Sequence, residues 1–145
     1  MQILSHELIH ILNDEFERNC GTVEEKALQI IEEIRADIEG KKLLNLKGDD
    51  IDRAFDLCIE FNDDGVKEEE YFYNNCYPTY QQRKEFTKNY DEVTEDLIRK
   101  IFSKIRKYYT VENEDEIVKK AVDKYSKMSN KFCDNKYSES FWKIN

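Results

Sequence analysis

The chain has 145 residues, of which 39% are hydrophobic and 38% charged, and its formal net charge is −9. A chain of this length can bury one core without metal or disulfide staples, and its periodic apolar residues argue against disorder. Free nucleic acid and anionic membranes are poor partners, because both repel the negative charge. The composition therefore predicts one domain over residues 1–145 that binds neither nucleic acid nor a membrane directly.

The cysteines and the N-terminus bear on the compartment of the protein. Four cysteines are scattered without a CxxC pair: Cys20, Cys58, Cys76 and Cys133. A thiolate metal site normally takes two ligands from one short loop, so this spacing argues against such a site. The N-terminal segment is too polar for a signal peptide, and no run approaches the ~20 apolar residues of a membrane span. These features predict a cytoplasmic protein with reduced thiols.

Two helices are predicted in the first forty residues. The first covers residues 2–19, and its apolar arc is formed by Leu4, Leu8, Ile11, Leu12 and Phe16. Thr22 and Glu25 form a capping box that opens the second helix. The second helix carries an apolar stripe of Ala27, Ile30, Ile31, Ile34 and Ile38. We expect it to stop at Gly40.

Three further helices are predicted in the rest of the chain. Asp49 or Asp50 is expected to cap the third helix. A long helical signal follows over residues 80–109, with Asp91 as a candidate cap for a fresh start inside it. A last helix opens at the pair formed by Asn113 and Glu116.

These elements define the predicted architecture. Helical periods with short connections, and no convincing strand, predict an all-α protein, an irregular bundle of about five helices in a single domain. The tail, residues 134–145, carries the only tryptophan and is expected to dock onto the body.

His6, Glu7 and His10 match HExxH, the zinc-protease signature, in which both imidazoles bind the metal and the glutamate acts as general base. On a helical wheel, however, both histidines fall on the side facing away from the apolar arc of the first helix. We therefore interpret His6 and His10 as surface residues. Because a catalytic zinc needs a partly desolvated cleft, we predict no metal or other cofactor. A small zinc-dependent hydrolase built on this motif stays open as an alternative.

The negative charge is concentrated in one part of the chain. Residues 1–70 contain 20 acids and 8 Lys/Arg, for a net −12, whereas residues 71–145 contain 12 acids and 15 Lys/Arg, for a net +3. Inside the first half, a dense acidic segment leads directly into a cluster of tyrosines. The predicted partner-binding residues are Asp49, Asp50, Asp52, Asp56, Asp63, Asp64, Glu68, Glu69, Glu70, Tyr71, Tyr73, Tyr77 and Tyr80.

Acids of this kind steer a basic partner at long range, while tyrosines supply rigid anchor area at low entropic cost. A solvated face without a partner is the structural alternative. The second half carries a basic face, which we expect to pair with the acidic half: Arg99, Lys100, Lys104, Arg106 and Lys107.

In size, acidity and tyrosine clustering, the chain resembles the acidic immunity proteins of bacterial toxin systems, a resemblance of chemical character that transfers no residue roles. No glycine-rich phosphate loop or nucleophile elbow is present, so the sequence predicts a non-enzymatic protein. The resemblance implies a protein that neutralises a basic partner, such as a nuclease toxin, by covering its active site. A phage-type inhibitor that mimics nucleic acid is a second alternative, because it uses the same physics on another target.

Overall fold

The computed structural model describes residues 2–12, 21–62 and 77–134. These residues contain six helices, which correspond to the helical periods of the sequence. The helices are α1 (Gln2–Leu12), α2 (Val23–Leu43), α3 (Gly48–Asn62), α4 (Tyr80–Asn89), α5 (Glu95–Ile105) and α6 (Glu114–Asp134). These ranges contain no strand, which confirms the all-α class. The predicted tail after Asp134 lies outside the described residues.

The described residues contain six helices where the sequence predicted about five, because the signal over residues 80–109 is divided into α4 and α5. Thr94 interrupts it with an extended backbone, and its hydroxyl accepts a hydrogen bond from the Leu97 amide at 3.2 Å. Thr94 therefore caps α5, the role expected of Asp91. Asp91 instead binds the Lys41 ammonium at 2.8 Å.

Helix α2 lies at the centre of the fold and contacts α1, α4, α5 and α6. Its predicted capping box forms, with Thr22 and Glu25 each accepting a backbone hydrogen bond of the other, at 3.1 and 3.0 Å. Its predicted apolar stripe is buried in the main core against α5 and α6. Beside this stripe runs a buried charged row at i, i+4 and i+8: Glu33, Asp37 and Lys41.

The predicted stop of α2 at Gly40 is wrong, because the helix continues to Leu43. It ends in a hydrogen-bonded motif in which the Leu46 amide bonds to the Lys41 carbonyl at 3.0 Å. Asn45 supplies the left-handed residue of this ending, with φ of 51°. Gly40 has another role, since a Cβ there would lie 2.8 Å from the Ser5 Oγ, so it allows α1 and α2 to approach closely.

The predicted inward face of α1 is also wrong at two of its residues, Leu4 and Ile11. Leu4 is 68% exposed and Ile11 is 55% exposed, whereas Ser5, His6 and His10 are buried. The physical reason is that α1 turns its polar side toward the charged row of α2, whose carboxylates bind the imidazoles. Residues 13–19 of the predicted first helix lie outside the described residues.

Helix α3 begins at Gly48, so Asp49 and Asp50 lie inside its first turn rather than at a cap. The Asp50 carboxylate reaches back to accept a hydrogen bond from the Lys47 amide at 3.1 Å. The last helix, α6, starts immediately after Asn113, which is where the sequence predicts its start.

The close approach at Gly40 gives a first testable prediction. Gly40→Ala in a helix interior ordinarily gains about 1 kcal/mol, but here we expect a loss of about 1–3 kcal/mol, because the new methyl group meets Ser5. Urea unfolding measures the effect. Gly48→Ala is the matched control, since a Cβ there meets nothing within 4 Å. Ser5→Ala combined with Gly40→Ala should recover part of the loss, and a stabilising Gly40→Ala would contradict the packing argument.

Candidate functional site

The structure describes six of the thirteen predicted partner-binding residues, and they do not share one role. Asp49 and Asp50 are exposed. Tyr77 and Tyr80 are half-buried, and the Arg83 guanidinium lies over the Tyr80 ring, 5.1 Å from its centroid. The remaining seven residues lie outside the described ranges: Asp63, Asp64, Glu68, Glu69, Glu70, Tyr71 and Tyr73.

The other two described acids, Asp52 and Asp56, are engaged inside the molecule. Asp52 accepts hydrogen bonds from Lys88 at 2.8 Å, and Asp56 accepts one from Lys84 at 2.7 Å. The hydrogen bond from Lys88 is the main cause that lowers the pKa of Asp52 below its ordinary value. These contacts fasten α3 to α4, so part of the acidity of α3 is neutralised within the fold.

The basic face was expected to pair with the acidic half of the chain. For four of its residues this prediction is wrong. Arg99 binds Glu95 and Asp115, both of which belong to the second half. The same holds for three further pairs: Lys100 with Asp96, Lys104 with Glu85, and Arg106 with Glu114. Helical i,i+4 geometry and short interhelical connections bring these acids nearer than those of residues 1–70.

The outward side of α3 carries the acidic α3 surface, which we define as Asp49, Asp50, Glu60, Leu57 and Phe61. All five side chains are exposed, and the two apolar ones are exposed to 56% at Leu57 and 77% at Phe61. Leu57 and Phe61 are four residues apart, so they lie side by side on the helix. Of these five residues, Asp49 and Asp50 belong to the partner-binding set that the sequence predicts.

A second group of polar residues is buried between α1, α2 and α4. We call it the histidine cluster: His6, His10, Glu33, Asp37 and Arg83. His6 and His10 are only 5% and 4% exposed, so the prediction that they are surface residues is wrong. A histidine pair at i,i+4 on α1 meets a carboxylate pair at i,i+4 on the antiparallel α2, and this complementary spacing is the sequence signal that was missed.

His6 is the central residue of the cluster. Its Nδ1 lies 2.9 Å from the Asp37 Oδ1, and its Nε2 lies 3.0 Å from both the Glu33 Oε2 and the His10 Nε2. Burial opposes the protonation of His6, but hydrogen bonds to Asp37 and Glu33 outweigh it and raise the pKa of the imidazole above its ordinary 6.5.

Arg83 of α4 completes the cluster by holding Asp37. The Arg83 Nε and Nη2 donate to the two Asp37 carboxylate oxygens at 2.6 and 2.8 Å, a bidentate pair. Burial of Asp37 alone would raise its pKa, but the charge and hydrogen bonds of Arg83, together with His6, lower it below the ordinary value of 3.8. The carboxylate therefore stays ionised in the interior.

Comparison with known proteins gives no relative for either site. No protein-family model, curated protein or solved structure matches the chain. Within the described residues, none of the helices combines the length and apolar character that crossing a membrane requires.

Proposed function

We propose that this protein is a non-enzymatic acidic binding protein that neutralises a basic protein partner, in the manner of bacterial immunity proteins that cover the active site of a nuclease toxin. The observation that carries the proposal is the acidic α3 surface, where Leu57 and Phe61 stand exposed among carboxylates. Single exposed apolar side chains are ordinary, but neighbouring large ones within a polar rim are typical of interaction sites.

The charges of this surface suit a basic partner. Asp49, Asp50 and Glu60 are exposed acids, and their sequence neighbourhood, residues 49–70, has a net charge of −8 from ten acids and two Lys/Arg. A local field of this sign accelerates association with a positively charged protein, and Phe61 supplies an anchor that slows dissociation. On a nuclease, the carboxylates would occupy the positions of substrate phosphates. The same surface suits a phage-type nucleic-acid mimic, which differs only in its target.

The zinc-hydrolase alternative has weaker support. Its general base, Glu7, is an exposed side chain, whereas both histidines are almost completely buried. A catalytic zinc keeps one coordination position open for water or substrate. The closed surroundings of the imidazoles therefore favour a binding protein over this enzyme.

A charge-reversal experiment tests the proposed function. The partner is first captured from the native host with the wild-type protein, and association rates are then measured over a range of salt concentrations. Asp49→Lys with Glu60→Lys is expected to slow association about tenfold at low salt and to flatten its salt dependence, because steering depends on the local field. Asp50 is left unchanged because its carboxylate accepts the Lys47 amide hydrogen bond.

The matched control for this experiment is Glu92→Lys with Glu112→Lys, two exposed acids elsewhere that change the net charge by the same amount. Equal slowing by both double variants, or by neither, would contradict a binding role for α3. Phe61→Ala should separately speed dissociation by roughly thirtyfold, corresponding to about 2 kcal/mol. Leu4→Ala, which truncates an exposed apolar residue on α1, should leave dissociation unchanged.

A further inference from the structure

Three potential metal-ligand atoms converge in the histidine cluster. The His6 Nε2 and His10 Nε2 lie 3.0 Å apart. The Glu33 carboxylate faces both, with Oε2 at 3.0 Å from the first nitrogen and Oε1 at 3.5 Å from the second. Within the described residues, these three side chains form a group whose ligand atoms lie within 4.8 Å of one another.

The separations among these ligand atoms are close to those found around a bound zinc ion. Zinc bonds to imidazole nitrogen and carboxylate oxygen are about 2.0–2.2 Å long, which places neighbouring ligand atoms about 3.3–3.5 Å apart. The two nitrogens are 3.0 Å apart, and each lies 3.0–3.5 Å from a different oxygen of the Glu33 carboxylate, so these separations are close to the spacing of zinc ligands. Two imidazoles with one carboxylate suit zinc and its neighbours, whereas calcium and magnesium prefer oxygen ligands alone.

Hydrogen bonds alone do not satisfy all the close contacts among these three side chains. The His6 Nε2 carries at most one proton, yet it has two close partners, the Glu33 carboxylate and the His10 Nε2, both at 3.0 Å. Two ring nitrogens in contact can share only one proton between them. A cation bound between the two imidazoles and the Glu33 carboxylate would interact favourably with all three groups at once.

The surroundings of His6 also have the form of a metal site. Metal-binding histidines usually donate their second ring N–H to a carboxylate, which fixes the tautomer and the ring orientation. Asp37 lies 2.9 Å from the His6 Nδ1 and is therefore placed to accept this hydrogen. Arg83 holds Asp37 in turn through two hydrogen bonds. The remaining nitrogen of His6 is thereby directed at Glu33 and His10.

We propose that His6, His10 and Glu33 bind one divalent transition-metal ion, zinc by the chemistry of its ligands, with Asp37 and Arg83 as positioning residues. The site lies between α1 and α2 and would fasten the N-terminal helix to the central helix. Because both histidines are almost completely buried, we expect the ion to act on the stability of the fold, and the site goes beyond the proposed function because it requires no partner protein.

The test uses the full chain, purified without added metal and stripped with a chelator. Zinc titration by calorimetry is expected to give one site with a Kd of about 1 µM or tighter, and zinc should raise the melting temperature. Cobalt, used as a spectroscopic substitute, should give a visible absorption band that saturates at one ion per chain. A wild-type protein that binds neither ion stoichiometrically would overturn the proposal and identify the cluster as a network of ion pairs.

Variants locate the site. His10→Ala and Glu33→Gln should each weaken zinc binding at least a hundredfold and abolish the zinc-dependent rise in melting temperature. Asp37→Asn should retain one site with tenfold to hundredfold weaker affinity, as expected of a positioning residue. Glu7→Gln is the matched control, since it changes the exposed glutamate of the same helix and should bind zinc as the wild type does. Undiminished zinc binding by both His10→Ala and Glu33→Gln would place the metal elsewhere and refute the assignment.

Discussion

Arg83→Leu is expected to lower the free energy of unfolding of this protein by about 3–5 kcal/mol, because it leaves the Asp37 carboxylate buried without its cation. The Asp37 side chain is 1% exposed, and Arg83 binds both of its oxygens. Desolvation of a carboxylate is tolerated only when a cation and hydrogen bonds compensate for it. Urea unfolding monitored by circular dichroism measures the loss.

The matched control for Arg83→Leu is Lys88→Ala, which removes a similar ion pair at the surface. The side chains of Lys88 and Asp52 are 39% and 32% exposed, so their pair should contribute less than ~1 kcal/mol. Asp37→Asn combined with Arg83→Leu should cost less than the sum of the two single changes, because it removes the buried charge as well as its partner. Similar losses for Arg83→Leu and Lys88→Ala would contradict the importance of burial.

The cost of Arg83→Leu should also depend on pH. Because the folded-state pKa of Asp37 is lowered, its ion pair contributes stability above the ordinary value of 3.8. That contribution disappears as the pH falls from this value through the folded-state pKa. The difference between wild type and Arg83→Leu should therefore shrink in acid.

Lys41→Met is expected to destabilise the protein by about 2–4 kcal/mol, because the Lys41 ammonium joins the central helix to the end of α4. Its Nζ donates to the Thr87 carbonyl at 2.8 Å, to the Tyr90 carbonyl at 2.6 Å and to the Asp91 carboxylate at 2.8 Å. A cation at a helix C-terminus satisfies carbonyls that have no partner within the helix and interacts favourably with the helix dipole. Methionine retains most of the apolar stem but none of these donors.

Lys42→Met is the matched control, because Lys42 is the adjacent residue in the same helix and its side chain is exposed. It should change the free energy of unfolding by less than ~0.5 kcal/mol. Hydrogen exchange gives a second measurement, in which the amides of the last turn of α4 should lose protection in Lys41→Met only. Equal stability of the two lysine variants would contradict the role assigned to Lys41.

The candidate sites were only partly accessible to prediction from the sequence. The HExxH spacing identified His6 and His10 as a possible pair of metal ligands, but the helical wheel placed them in solvent. This placement was wrong because a helical wheel assumes that the most apolar side of a helix is buried, whereas in α1 apolar residues of that side are exposed. Glu33 and Asp37 were not recognised as partners, since their i,i+4 spacing identifies them only once α1 is known to lie against α2.

Features that depend on residues within a few positions of one another could be predicted from the amino-acid sequence. The capping box of Thr22 and Glu25, the buried stripe of α2 and the start of α6 after Asn113 are of this kind, and so is the helical class. Helix formation and capping involve groups three or four residues apart, so both can be predicted from the local sequence.

The burial of polar groups and the close approach of helices depend on contacts between residues that are far apart in the sequence. His6 meets Glu33 across 27 positions of sequence and Arg83 across 77, and Gly40 is needed because Ser5 lies against it. Burying a charged or polar group is favourable only when its partners are in place, and those partners come from three different helices. The orientation of α1 therefore depends on charged residues of α2 and α4. These partners cannot be recognised from the sequence of the N-terminal segment.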